Sequence, residues 1–478
     1  LKILFAASES FPFLKTGGLG DVAYALPKAL RKLGIDARVI IPKYSDIAEN
    51  FKYNTHHIAS FDVPVGWRSK YGGLEYYEYN GIPFYFIDND YYFKRSGAYG
   101  YYDDGERFAY FSRAVLQAIT YMGDFNPDII HCNDWQTAMI PVLLKDHYKD
   151  YSNYNHIKTI YTIHNLKYQG VFDPKVLGEL LCLNEGYFSE NCLKFYDGVS
   201  YMKGGLLFAD KISTVSNTYA EEIKTPYYGE HLHGIMQMRS NDLCGIVNGI
   251  DYDLMNPKTD KNLFCNYDSN NLYNKTKNKT ELQKMLNLPY SEGTPLIGIV
   301  SRLVDQKGFD LIAYILEELL QDGIQLVVLG TGEKKYEDMF KYFAWKYPNK
   351  LSANIYFDSS LAQKIYAASD MFLMPSLFEP CGIGQLIALR YGSLPIVRET
   401  GGLKDTVRPF NPCNGEGNGF SFTNYNAEDM LYVIRSAEYF YYNEKDNWTK
   451  LVKRAMNENN SWDNSAKTYI NLYKSVLY

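Results

Sequence analysis

Disulfide chemistry has little to work with in this chain. Its 478 residues hold seven cysteines, an odd number, scattered from Cys132 to Cys413 with no CxxC pair. That usage excludes a disulfide scaffold and predicts free thiols in a reducing compartment. No apolar run is long enough to span a membrane, so no membrane partner is expected. The run at Leu1 to Ala7 is too short for a signal peptide and reads as a buried strand, which makes the cytoplasm the expected location. Basic charge is also short: 49 Lys and Arg against 55 Asp and Glu leave a net charge of −6. Nucleic acid is therefore not an expected partner, and an anionic ligand needs a local basic site. The eight histidines show no metal-binding spacing, and the DxD at Asp88-Asn89-Asp90 is too short a pattern to carry a metal. There is no GxxxxGK[ST] loop, no GxGxxG and no GxSxG, which removes the main support for kinase, P-loop ATPase, standard dehydrogenase and α/β-hydrolase readings.

Tyrosine, by contrast, is abundant at 45 residues; rings of this kind stack on sugars, although a biased gene composition explains the number equally well. Apolar strand-like runs alternate with helix-like runs at both ends of the chain, the signature of parallel α/β architecture. The runs at 3–7, 37–41, 83–87, 128–131 and 158–163 predict strands in the first half. Those at 296–300, 325–329, 354–357, 371–374 and 394–397 restart the pattern in the second. We expect a first domain over 1–243 and a second over 244–460. The amphipathic stretch 461–478, with Ala466, Tyr469, Ile470, Tyr473 and Val476 on one face, is expected to cross back to the first domain.

One hexapeptide pattern, Thr-Gly-Gly-Leu-x-Asp, occurs twice. It spans Thr16-Gly17-Gly18-Leu19-Gly20-Asp21 and Thr400-Gly401-Gly402-Leu403-Lys404-Asp405, each time between a strand-like and a helix-like run. Glycine pairs let a backbone approach a ligand, and helix N-termini attract anions, so two such loops point to a phosphorylated ligand. Lys15 precedes the first copy and is suited to phosphate; Asp21 serves either the helix dipole or sugar hydroxyls. Arg302 and Lys307 follow a predicted strand and offer a fork and a point charge for a diphosphate, or else are two surface cations. Glu379 lies between a strand and the turn Pro380-Cys381-Gly382-Ile383. It would accept sugar hydroxyls or brace the turn, with the amides of Gly382 and Ile383 facing the ligand crevice. Cys381 has no histidine near it in sequence and suits packing or contact better than nucleophilic attack. His131 and His164 both end predicted strands.

Taken in order, Lys15 to Asp21, His131-Cys-Asn-Asp-Trp135, Thr162-Ile-His-Asn165, Asn248-Gly-Ile-Asp251, Ser301-Arg-Leu303 with Gln306-Lys-Gly308, Phe378-Glu-Pro-Cys-Gly382 and Thr400-Gly-Gly-Leu403 resemble the bacterial glycogen synthases and plant starch synthases over the whole chain. The resemblance implies a GT-B fold, two Rossmann-like domains with parallel sheets facing across a deep cleft. It implies transfer of glucose from ADP-glucose to the non-reducing 4-hydroxyl of an α-1,4-glucan, with retention and with neither metal nor other cofactor. It further implies that Lys15 and Gly18 meet the nucleotide sugar and that Arg302 and Lys307 hold its diphosphate. Asp21, His164, Asn248 and Glu379 would surround the glucose, and the amides of Thr400, Gly401, Gly402 and Leu403 would face the distal phosphate. Phe357 stands where some members carry tyrosine near the adenine. Ile387 replaces the second glutamate of a related family that often uses UDP- or GDP-sugars, which favours the ADP-glucose enzymes. A GT-B enzyme with another donor such as UDP-glucose, or a catalytically silent glucan-binding protein, are the competing readings.

Overall fold

β1 (Lys2–Ala6) is buried at every position after Lys2, as a strand covered on both faces must be. In the computed structural model, which describes residues 1–477, it lies at the centre of a nine-stranded sheet. The other members are β2 (Asp36–Pro42), β3 (His56–Val65), β4 (Arg68–Tyr79), β5 (Ile82–Asp88), β6 (Ile129–Asn133) and β7 (Lys158–Ile163), with β11 (Lys211–Thr214) and β12 (Leu243–Gly245) beyond them. A small separate sheet is made by β8 (Val171–Phe172), β9 (Lys194–Phe195) and β10 (Gly198–Ser200). The order β12-β11-β7-β6-β1-β2-β5-β4-β3 is parallel up to β5 and ends in an antiparallel hairpin.

Contacts divide the chain after Asn248. Residues 1–248 and the segment from Trp462 onward form the first unit, and Gly249–Ser461 form the second. The helix Trp462–Leu477 buries Trp462, Ala466, Tyr469 and Tyr473 in the core of the first unit. Tyr473 is tied to Nδ1 of His131 at 2.8 Å, and Ser465 Oγ donates to the Val247 carbonyl. No helix among the described residues is long and apolar enough to cross a membrane.

The second unit holds a parallel six-stranded sheet of β13 (Leu296–Val300), β14 (Gln325–Leu329), β15 (Leu351–Asn354), β16 (Met371–Met374), β17 (Leu394–Arg398) and β18 (Phe420–Phe422), ordered β15-β14-β13-β16-β17-β18. The strand expected at 354–357 is displaced: β15 pairs β14 only from Leu351 to Asn354, because β14 ends at Leu329. Ile355, Tyr356 and Phe357 therefore lie past the strand, and Asp358 then caps the helix Ser359–Ala368 by accepting from the Leu361 amide at 2.9 Å. β13, β16 and β17 are adjacent, so the loops leaving their C-terminal ends are neighbours.

Candidate active site

Those three loops bring the charged motif residues of the second unit together. Lys307 Nζ meets Glu379 Oε2 at 2.6 Å, and Ser376 Oγ donates to the same oxygen at 3.0 Å. Glu379 is buried, and pairing makes its burial tolerable. Arg302 is exposed, and its guanidinium has no ion-pair partner among the described residues. Gly308 allows the contact: its φ is +76°, and a Cβ there would lie 2.0 Å from the Pro375 carbonyl oxygen. The Leu377 amide donates to the Gln306 carbonyl, and Arg398 donates to the Leu377 carbonyl at 2.8 Å. Gln385 Nε2 clasps the carbonyls of Cys381 and Gly382 at 3.0 Å each. Cys381 is buried and Ile383 half-buried, while Phe357 is 90% exposed.

Three amides of the second TGGLxD copy, expected to face a phosphate, are engaged within the fold. The Thr400 amide donates to the Arg398 carbonyl, Gly402 to those of Glu379 and Pro380, and Leu403 to that of Thr400. Backbone donors engaged in this way are not free for a phosphate. The glycines have a steric role instead. A Cβ on Gly401 would lie 2.0 Å from the Glu379 carbonyl oxygen, and one on Gly402 2.0 Å from that of Cys381. The pair lets this loop press against the one that carries Glu379.

In the first unit, Lys15 Nζ pairs with Asp21 Oδ1 at 2.7 Å, beside Gly18 at the start of the helix Gly18–Lys32. Burial raises the Asp21 pKa and Lys15 opposes the rise. Three amides around this helix end are occupied, by a residue that no motif spacing exposed. Glu9 accepts from the amides of Thr16 (3.0 Å), Gly17 (3.1 Å) and Gly20 (3.0 Å), and from the Thr16 hydroxyl. The anion at the first glycine loop is thus the protein's own carboxylate.

His164 follows β7. Its Nε2 lies 2.9 Å from Asn133 Oδ1, while Asn133 Nδ2 donates to the Ala6 and His131 carbonyls. Asn133 Oδ1 can only accept, so Nε2 carries the proton and Nδ1 is the bare acceptor. Burial pushes the His164 pKa down to about 3, which keeps the ring neutral. Asp134 orients this loop: Oδ1 accepts the His164 amide at 2.8 Å, and the Asn165 amide also donates to the carboxyl. It holds a φ of 54° and ψ of −177°, a strained conformation for any residue with a side chain. Burial raises its pKa to about 7 against those two amides. His131 is not beside it in function: its ring lies within the core, against Phe5 and Tyr473. Asn248 is buried, and its Oδ1 has no hydrogen-bond partner among the described residues. A pocket of about 510 Å³ in the same unit is lined by Tyr101, Asp104, Trp135, Tyr168, Phe172 and Glu230, among others. Among the described residues no group of three or more His, Cys, Asp or Glu side chains is placed to hold a metal ion.

Two α/β units, each on a largely parallel sheet with motif residues on loops at strand C-termini, have the crevices where such sheets bind ligands. Residues 2–238 match the starch synthase catalytic domain family, and residues 283–450 match the glycosyl transferases group 1 family. The chain is 82% identical over 477 residues to the glycogen synthase of Clostridium acetobutylicum and 62% identical over 478 residues to that of Clostridium novyi, in both cases across 100% of each protein. Its structure is similar to the catalytic domain of starch synthase IV from Arabidopsis thaliana bound to ADP and acarbose, with a TM-score of 0.93, 34% identity and coverage of 100% and 99% of the two chains. The chain belongs to the glycogen and starch synthase family.

Proposed function

We propose that this glycosyltransferase moves glucose from ADP-glucose to the non-reducing 4-hydroxyl of an α-1,4-glucan with retention of configuration. The observation that carries the reading is the Lys307–Glu379 pair at 2.6 Å, with Lys307 on the same loop as the exposed Arg302, which has no ion-pair partner among the described residues. That is a carboxylate for sugar hydroxyls next to a fork and a point charge for a diphosphate. ADP and acarbose in the starch synthase IV structure support an adenine nucleotide donor and a glucan-like acceptor here.

Each residue then has a task. Arg302 and Lys307 hold the departing diphosphate, and preorganised cations there stabilise the charge that develops as the glycosidic bond breaks. Lys15 adds a third cation. Glu379 and Asp21 accept glucose hydroxyls. His164, neutral and with Nδ1 unprotonated, accepts a hydroxyl rather than donating a proton. Asn248 offers its unpartnered Oδ1 to the sugar. Gly18 gives the donor close backbone access, Phe357 stacks on the adenine, and Cys381, Gly382 and Ile383 line the donor loop. Thr400 to Leu403 support that loop; the amides of Thr400, Gly402 and Leu403 are engaged, which argues against phosphate contact through those three. The aromatic pocket of about 510 Å³, with its carboxylates, suits the glucan acceptor. No carboxylate is assigned as nucleophile; the acceptor attacks from the face the diphosphate leaves, and the leaving phosphate takes its proton.

The test is direct. Incubated with glycogen and either ADP-glucose or UDP-glucose, the protein should release ADP and lengthen chains, with UDP-glucose clearly slower. Release with neither donor would leave a glucan-binding protein, and faster UDP-glucose turnover would overturn the donor assignment. Glu379→Gln should lower kcat roughly 100-fold, the scale of losing one preorganised polar contact.

A further inference from the structure

We propose that Glu9 is a positioning residue, whose carboxylate fills the anion seat of the helix Gly18–Lys32 and so sets Lys15 and Asp21 for the donor. The proposal rests on the donor role given to Lys15 above. A helix start leaves amides without intrahelical partners, and a side-chain oxygen at the N-cap normally serves them. Gly17 is the N-cap here and has no side chain to offer. Glu9, arriving from the end of β1, supplies the missing cap from outside. One oxygen accepts from Gly17 and from Gly20, the third helical residue. The other accepts the amide and hydroxyl of Thr16 and lies 3.3 Å from the Tyr99 hydroxyl. Five donors converge on one carboxylate that is 1% exposed.

This arrangement changes what the loop can bind. A second anion at the amides of Thr16, Gly17 and Gly20 would face a full negative charge at contact distance, so a diphosphate is excluded from those three while Glu9 holds them. Recognition falls to the Lys15 side chain. Glu9 also fixes that side chain mechanically. A Cβ on Gly20 would lie 3.1 Å from Lys15 Cγ and 3.3 Å from Glu9 Oε1, so the lysine stem and the carboxylate both close over this glycine. The Phe11 amide donates to the Gly20 carbonyl at 3.0 Å, which closes the loop between Glu9 and Lys15 on itself. With the stem held, the ammonium is carried to Asp21 at 2.7 Å.

Glu9→Gln keeps the shape and turns part of the acceptor into a donor, aimed at amides that also donate. We expect KM for the nucleotide sugar to rise about tenfold, with KM for glycogen within about twofold of wild type. The decisive comparison is a double-mutant cycle with Lys15→Ala. If Glu9 acts through Lys15, E9Q adds no further loss on the K15A background. Full additivity, or equal rises in both KM values, would overturn the proposal and leave Glu9 a general structural residue. Should E9Q fail to fold, Thr16→Val removes one donor and tests the same link: a donor KM raised about threefold alone and unchanged on K15A supports it, and a rise on both backgrounds refutes it. The assays use whichever of ADP-glucose and UDP-glucose the wild type turns over, so an error in the donor base leaves this result readable. If neither is turned over, the proposed function fails, and the same cycle is read from calorimetric ADP binding.

Discussion

Glycine placement shows how a single residue can govern this site without touching chemistry. Gly401 has φ +44° and no room for a Cβ, because the Glu379 carbonyl oxygen would be 2.0 Å away. Gly401→Ala therefore has to push the Glu379 loop aside. Backbone strain of this kind costs about 1–3 kcal/mol. We expect a lower Tm together with a loss of kcat, measured by thermal unfolding and by transfer to glycogen; an active, fully stable variant would contradict the packing account. The charged residues Lys15, Arg302, Lys307 and Glu379 are legible in sequence as candidates because their types and loop positions suit anion and sugar chemistry. Glu9, Asp134 and Gln385 were not readable as site residues. Their partners are backbone groups, which carry no residue identity, and they come close only after strands pair.

At the scale of elements, the strand ends of β6 and β7 set the pH response of the first unit. His131 and His164 both have their pKa values pushed down to about 3 by burial. In the unfolded chain they take up protons near pH 6.5. The stabilisation from keeping them neutral is thus present above that pH and is lost as pH falls towards 3, at about 1.4 kcal/mol per unit for each ring. Asp134, raised to about 7, runs the other way: the folded state binds its proton more tightly, so this group alone favours the fold as pH falls from 7 towards 4. Burial of Glu9 acts in the same sense. Glu438, raised to about 7 by burial in the second unit, runs with Asp134, so over the whole chain two rings and two carboxyls roughly cancel between pH 6.5 and 4. Urea midpoints of the wild type and of His164→Gln measured at pH 4, 5, 6 and 7 isolate the ring: the variant should lose less stability on acidification, and an unchanged slope would be incompatible with a buried neutral histidine. Tyr473→Phe deletes the partner of His131 Nδ1 and should cost about 1–3 kcal/mol at pH 7, the penalty of an unsatisfied buried polar atom.

For the whole molecule, the two ends of the chain belong to one unit. The helix Trp462–Leu477 packs on the helix Gly18–Lys32 and on β7, and closes the first core with three aromatic side chains. Residues 1–248 expressed alone should therefore be destabilised and prone to aggregate. Adding a peptide of residues 462–478 should raise the Tm of that fragment, and no rise would show the helix to be dispensable. We also expect neither unit by itself to transfer glucose, since the proposed cations and sugar ligands are divided between them.

The sequence by itself determined the alternation of strands and helices, the presence of two α/β units, and the charged residues proposed for the donor. Apolar periodicity and residue chemistry are local properties, and a linear reading recovers them. It missed the hairpin of β3 and β4 and misplaced the strand that ends at Asn354, because pairing with a neighbour decides where a strand begins and stops. The tertiary structure alone decided the work of the two TGGLxD loops. Both were readable as phosphate cradles, yet Glu9 fills the first and the carbonyls of Glu379 and Pro380 accept from the second. Backbone donors bind whatever acceptor the fold brings nearest, and which acceptor that is depends on chain segments far from the motif.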